Sequence, residues 1–385
     1  MRVLTLNGGS SSLKVALFER VERAVTLRRI AAGNVGRIGL EAGPKDHRAA
    51  LTDALALLEP HGGLAEVSAV GHRIVHGGAA FEGPRRVDEG VLSELRRLCA
   101  LDPDHLPAEL AVVDVMATRA PTLPQVVCFD TTFHRTMSPV ARVVPIPRRY
   151  QAQGVRRYGF HGLSYQYLIE ELARVAGESS ARGRVILAHL GSGSSLAAVR
   201  ERRSVDTTMG FTPTSGVPMS TRSGDLDPGV LLHLMRTERL DVAALDELLN
   251  KQSGLLGISE TTPDMRDLLG REATDPRAAE AIAVFVYQVR KAIGALATTL
   301  DGVETLVFSG GIGERSSVVR ARIAEGLGHL GVRLDHARNE ANAAVISRDA
   351  APCTVRVIAT DEESIIAGET LRIVTDQNPE RRGQS

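Results

Sequence analysis

At 385 residues, with 46 Lys and Arg against 46 Asp and Glu, the chain carries no formal net charge at pH 7 and has no general pull toward nucleic acid or an anionic membrane. That length allows two domains with their own cores, because a single core seldom grows past roughly 250 to 300 residues. Cys99, Cys128 and Cys353 stand far apart with no paired spacing, which indicates neither a disulfide framework nor a zinc site and reads as reduced thiols in a cytoplasmic protein.

The first predicted element is a hairpin. "VLTLNGGSSSLKVAL" at 3 to 17 sets a Gly/Ser turn between two apolar runs, and Lys14 after the polar turn leaves no export signal. "VILAHLGSGSSLAAV" at 185 to 199 repeats that form, with Gly8, Ser11, Ser12 and Leu13 matching Gly191, Ser194, Ser195 and Leu196 at one constant offset. Two related domains are therefore expected. Between the copies, "AVGHRIVHGG" and "QVVCFD" read as strands, while 91 to 100 and 107 to 119 carry helical apolar spacing, an α/β arrangement. Strand alternation puts Arg73 and Val75 on one face, and Asp130 closes the second strand, where parallel sheets place their sites.

Past the second hairpin, "DTTMGFTPTSGVPMSTRSGDLDPG" at 206 to 229 is a long loop rich in Gly, Pro, Ser and Thr. Met209, Phe211, Val217 and Met219 can anchor it, and structureless loops of that length in a compact domain are usually functional or disordered. Arg222 at its centre, flanked by Thr221, Ser223 and Gly224, can be aimed at an anion with little steric obstruction, or else is an exposed arginine paired with Asp225. Asp275 and Pro276 form a cap and first-turn proline for a helix whose Ile282, Phe285, Val286, Val289, Ile293 and Leu296 share a face. No later stretch reads as the roughly 20 apolar residues of a membrane span. "ETLVFSGGIGERSSVVRARI" then reads as strand, glycine turn and helix, aiming backbone N–H groups at a phosphate. The tail "DQNPERRGQS" is expected to fray.

Three glycine turns thus compete for phosphate, at 7 to 12, 191 to 195 and 310 to 313. No Gly-Lys pair exists, so none is a Walker loop, and Ser316 occupies the place of the last glycine of a dinucleotide fingerprint. Arg73 and Arg222 suit a migrating phosphoryl group, whose charge lies on its equatorial oxygens, and Asp130 and Glu362 are available to a cation.

Together, "NGGSSSLK", "GHRIVHGG", "FDTTFH", "RRYGFHGLSY", "HLGSGSSLAAV", "VDTTMGFTP", "TRSGDLDPG", "FSGGIGE" and "TDEESIIA" resemble the acetate kinase family, within the superfamily of acetate and sugar kinases, heat-shock chaperones and actin. The resemblance covers nearly the whole chain. It implies two duplicated ribonuclease H-like (actin-like ATPase) domains with a cleft between them, residues 1–131 plus 364–385 forming the first and 132–363 the second. It further implies reversible, direct, in-line transfer of the ATP γ-phosphoryl to acetate, giving acetyl phosphate, a precursor of acetyl-CoA, with Mg²⁺ or Mn²⁺ present, in a cytoplasmic homodimer joined through the second domain.

The site residues follow from the same resemblance. Arg73 and Arg222 would hold the carboxylate and the migrating phosphoryl, and His161 would donate a hydrogen bond to it, with His105 and His134 in the same neighbourhood. Asn7 and Glu362 would hold the metal with Asp130 close by, while Ser10, Ser12 and Lys14 lie near the phosphates. His189, Gly191, Ser192, Gly193, Gly310, Gly311, Ile312 and Gly313 would bind phosphates and adenosine, with Asp264, Met265 and Arg266 near the nucleoside. Val75, Phe160 and Pro213 would form the acyl pocket.

The sequence departs from the family pattern at Asp104 and Leu106, where a leucine and an asparagine would flank His105, and at Gly8, Ser192, Ser220 and Gly368. An Asp104 facing the acyl group would favour a polar or cationic acid. The prolines at 103 and 107 instead favour a local role, in a turn or as the cap of a helix beginning after Pro107. Alternatives are a propionate or butyrate kinase, an ATP-driven conformational switch, and a binding protein that has lost catalysis.

Overall fold

Among the described residues, eleven strands assemble into two sheets of matching topology. The computed structural model describes residues 1–9, 12–21, 27–39 and 43–376. The chain divides into a first unit, Met1–Thr132 with Gly162–Tyr167 and Asp361–Ser385, and a second, Phe133–His161 with Leu168–Thr360. Residues 162–167 thus group with the first unit, whereas the sequence expectation ran the second domain unbroken from 132 to 363.

In the first unit, β1 (Arg2–Gly8), β2 (Ser12–Arg20) and β3 (Leu27–Gly36) form an antiparallel meander. β4 (Ala69–Ile74) lies parallel to β1, β6 (Gln125–Phe129) lies parallel to β4, and the short β5 (Arg85–Arg86) closes the edge, giving the order β3-β2-β1-β4-β6-β5. β1 and β6 are near-continuous apolar runs because both faces of the sheet are covered. On one face, Ala50, Leu51 and Ala54 of helix His47–Ala56 and Val112 and Met116 of helix Leu106–Arg119 pack on Leu4, Leu6 and Leu13. On the other, Ala367 and Leu371 of helix Glu362–Asp376 pack on Val3, Ala16 and Phe18. Gly71 on β4 admits that helix closely, since a Cβ there would come within 2.2 Å of Thr370 Oγ1.

The second unit repeats the plan. β7 (Val185–Leu190), β8 (Ser194–Arg200) and β9 (Arg203–Thr207) form the meander, followed by parallel β10 (Thr305–Ser309) and β11 (Thr354–Val357) in the order β11-β10-β7-β8-β9. The predicted duplication therefore holds at the level of topology. Register differs, however: Leu13 pairs with Gly8, but its match Leu196 pairs with Ala188 instead of Gly191, so the second hairpin is shifted by three residues.

Helix Pro276–Thr299 fills the core of this unit, opened by the Asp275 side chain, which accepts from the Arg277 N–H. Its six predicted core residues are all buried. By length and composition it passes for a membrane span, contrary to the sequence expectation, but its apolar face is spent on β7, β8 and β10. The predicted glycine turn at 310 is also different: the chain goes directly from β10 into helix Gly310–Arg315, with Ser309 as the residue before it, and a second helix, Ser317–Glu325, follows. Between β9 and helix Pro228–Thr237, residues 208–227 form no regular element, and buried Met209, Val217 and Met219 anchor them.

Candidate active-site clusters

In the first unit, β1, β4 and β6 are adjacent and parallel, so their C-terminal ends bring Asn7, Arg73 and Asp130 together. Arg73 donates from Nε and Nη2 to Asp130 Oδ2 at 3.1 and 2.6 Å, and from Nη1 to the Gly8 carbonyl at 2.6 Å and Glu109 Oε1 at 3.4 Å. Asn7, flanked by two acids, turns its amide nitrogen to them, donating to Glu362 Oε2 at 2.8 Å and Glu363 Oε1 at 3.0 Å. Its own oxygen is then directed away from the carboxylates. Asp130 is fully buried, and its Oδ1 has no hydrogen-bond partner among the described residues.

Charge is tightly balanced here. Burial opposes the Arg73 cation, but Asp130, Glu109 and Glu362 outweigh it and hold its pKa above the ordinary value. Burial pushes Asp130 up, with Arg73 opposing and Glu362 adding to the rise. Glu109, which sequence reasoning missed, is pushed up to about 8 by burial despite Arg73, and its Oε2 accepts from the Val75 N–H at 2.8 Å. A signal for it existed: Leu106, Glu109, Leu110, Val113 and Met116 follow helical spacing, so an acid occupies the buried stripe. His72 is a core residue on Gln125, held down to about 4 by burial.

The segment around His105 resolves the Asp104 question locally. Asp104 is exposed and Leu106 is buried in the core side of a helix that begins at Leu106, not after Pro107. The turn is made by Asp102, whose Oδ1 accepts from the His105 N–H at 3.2 Å and lies 2.9 Å from His105 Nδ1. Burial works against the Asp102 carboxylate, but these His105 contacts outweigh it and lower its pKa. Ser12 is half-buried and Lys14 exposed at the start of β2; Ser10 lies outside the described residues.

In the second unit, His161 sits at φ 58°, in the left-handed region, with Nδ1 2.9 Å from Ser195 Oγ and its ring stacked on His189 at 4.4 Å. Gly193 makes this possible: a Cβ there would lie 3.2 Å from His161 Nε2 and 3.6 Å from Arg222 Nη1. Arg222 donates to the buried Pro213 carbonyl at 3.3 Å. His161, His189, Gly193, Pro213 and Arg222 thus form one cluster. His134 does not act as a site group: its Nδ1 meets Ser204 Oγ at 2.8 Å and its Nε2 the carbonyl of buried Phe160 at 3.0 Å, and burial lowers it to about 4, so it is a neutral structural histidine.

The glycine segments also meet within this unit. A Cβ on Gly191 would lie 3.7 Å from the Gly311 N, and one on Gly310, at φ 74°, would lie 2.6 Å from the Leu190 carbonyl oxygen. Ser192 is exposed and its carbonyl accepts from Ser220 N at 3.1 Å. Glu314 caps the glycine helix, with Oε1 accepting from the Gly310 and Thr360 N–H groups at 3.0 and 3.2 Å. Gly313 is buried and Ile312 half-buried. Asp264 caps helix Met265–Arg271 and pairs with exposed Arg266 at 2.6 Å, whereas Met265 points into the core.

The sequence matches the profile of the Acetokinase family over residues 2–368. The chain belongs to the acetokinase family. It is 41% identical to an acetate kinase of Rhodopseudomonas palustris, with 96% of this chain and 98% of that one aligned, and 41% identical to a propionate kinase of Citrobacter rodentium, with 98% of each. The crystal structure of Porphyromonas gingivalis acetate kinase superimposes with a TM-score of 0.86 at 35% identity, covering 97% of this chain and 99% of that one. A propionate kinase from Francisella tularensis gives 0.88 at 34% identity, with 97% and 99% covered. The acetokinase member described here is therefore a phosphotransferase with a carboxyl group as acceptor, on the two-domain actin-like fold expected from its motifs.

Proposed function

We propose that this acetokinase phosphorylates acetate reversibly with Mg-ATP, as a cytoplasmic homodimer. The observation that carries the reading is the Arg73 cluster: among the described residues four of its five N–H groups are engaged, by Asp130, Gly8 and Glu109, which leaves the fifth for an anion. Arg73 in the first unit and Arg222 in the second are the groups for the carboxylate and the phosphoryl oxygens. His161 acts with them: a Ser195 hydroxyl donating to Nδ1 leaves the N–H on Nε2, which donates a hydrogen bond to an equatorial oxygen as charge develops. A carboxylate oxygen attacks the γ-phosphorus in line while the bridging oxygen leaves with ADP, so the protein's work is positioning and neutralising charge.

Glu362 and Asp130 Oδ1, the latter without a hydrogen-bond partner among the described residues, are oxygen donors suited to Mg²⁺, with the Asn7 amide orienting Glu362. Among the described residues no group of three or more His, Cys, Asp and Glu could enclose a metal. Bound there, the ion would neutralise the β- and γ-phosphate charge.

The exposure of Asp104 removes the reason to expect a polar acid in place of acetate. Propionate is the comparison acid, given the propionate kinases among the relatives. Homodimer formation is supported by an apolar exposed set in the second unit, Leu226, Val230, Leu232, Met235 and Val242. The three free cysteines accord with a reducing compartment. The test is acyl hydroxamate formation from ATP, Mg²⁺ and a panel of acids. Acetate should give product at the highest kcat/KM, and Arg73→Ala should lower it by about 10² or more. Preference for a hydroxy or amino acid, or an unimpaired Arg73→Ala, would reject the assignment.

A further inference from the structure

Beyond engaging one Arg73 N–H group, Glu109 has no part in the roles set out above, yet it is the third carboxylate gathered round that guanidinium. Its side chain is 3% exposed, it lies 3.4 Å from Arg73 Nη1, and it accepts from the N–H of Val75, a proposed acyl-pocket residue. The charged and titratable groups facing it are Arg73 from β4, Asp130 from the end of β6, Asp102 from the preceding turn and Cys99 from the end of helix Glu89–Leu98. Asp130 already pairs with Arg73 at 2.6 Å, so an ionised Glu109 would set a second buried carboxylate on the same guanidinium before an anionic substrate arrived. A further negative group beside it is costly unless one acid is neutral. Glu109 is suited to be that acid. Its contact with Arg73 is long, while its Val75 contact needs only one carboxyl oxygen and survives protonation.

We propose that Glu109 is a positioning residue for Arg73 that must carry a proton for the substrate carboxylate to bind, so that affinity for the acid, and not phosphoryl transfer itself, weakens as Glu109 ionises. The inference rests on the carboxylate-kinase reading of the Arg73 site. With Glu109 titrating at about 8, the KM for acetate should rise about tenfold from pH 7 to pH 9 with little change in kcat.

Glu109→Gln imitates the neutral acid, keeping a carbonyl oxygen for Val75 and placing an uncharged amide beside Arg73. Its KM profile should be flat over that range. An equal rise in wild type and Glu109→Gln would overturn the proposal. Should that variant misfold, acetate binding to the wild-type enzyme at pH 8.5, followed by calorimetry in two buffers of different ionisation enthalpy, should show uptake of more than about half a proton per acetate. No uptake would equally reject it. Failure of the underlying reading would look different, as an absence of acyl hydroxamate from any acid at any pH.

Discussion

At the residue scale, Arg73, Asp130 and Arg222 can be singled out as candidates because each sits at a strand end or in a motif whose neighbours are small. Arg73 was placed by alternation along one strand, Asp130 by its position at the end of another, and Arg222 by a loop of small residues. Glu109 and Asp102 were not legible, because what makes them matter is burial against other segments, and the local sequence shows only a turn and a helix. Asp104 illustrates the same limit from the other side. Sequence drew attention to it as an acid beside a predicted site histidine, yet the turn geometry goes to Asp102 and Asp104 is an exposed residue. Replacing Asp104 by Leu should therefore leave the KM for acetate within about twofold of wild type, as surface substitutions generally do. A large fall in that KM, accompanied by lost activity toward an amino or hydroxy acid, would show that the carboxylate reaches the acyl group after all.

At the scale of elements, caps and periodicity were strong guides. Asp275, Pro276 and six apolar positions defined helix Pro276–Thr299 because every one of those signals is local. Hairpin register was not, since it depends on how many residues the turn consumes, and two turns of similar composition consume different numbers. The glycine segments separate two kinds of constraint that composition cannot distinguish. At Gly310 the backbone is left-handed and the Leu190 main chain blocks a side chain, so Gly310→Ala should lower Tm by several degrees. At Gly193 the tight neighbours are the movable side chains of His161 and Arg222, so Gly193→Ala should keep Tm within about two degrees and lower kcat. Calorimetry paired with steady-state kinetics checks both. Normal turnover in Gly193→Ala would argue that the His161 and Arg222 cluster is not catalytic.

At the scale of the whole molecule, duplication could be read from fifteen residues at each hairpin, but the surface could not, because exposure is a property of the assembled fold. Helices Pro228–Thr237 and Val242–Lys251 bury none of their residues within the chain, and Leu232 and Val242 are 50% and 79% exposed. Light scattering at micromolar concentration should give twice the chain mass, and Leu232→Glu should shift the population toward single chains; a wild-type protein of single-chain mass would exclude the homodimer. The first unit also has an order of assembly written into its connectivity. Asn7, in β1, bonds to Glu362, 355 positions later, and the helix covering one face of that sheet is Glu362–Asp376. At roughly 5 to 20 residues per second, the ribosome delivers that helix on the order of 20 to 70 s after the first strand. The second unit ends at Thr360 and can be complete before then. During synthesis the first unit's sheet therefore waits with Val3, Ala16 and Phe18 uncovered, and any loss of residues 362–376 would leave this apolar face exposed for good.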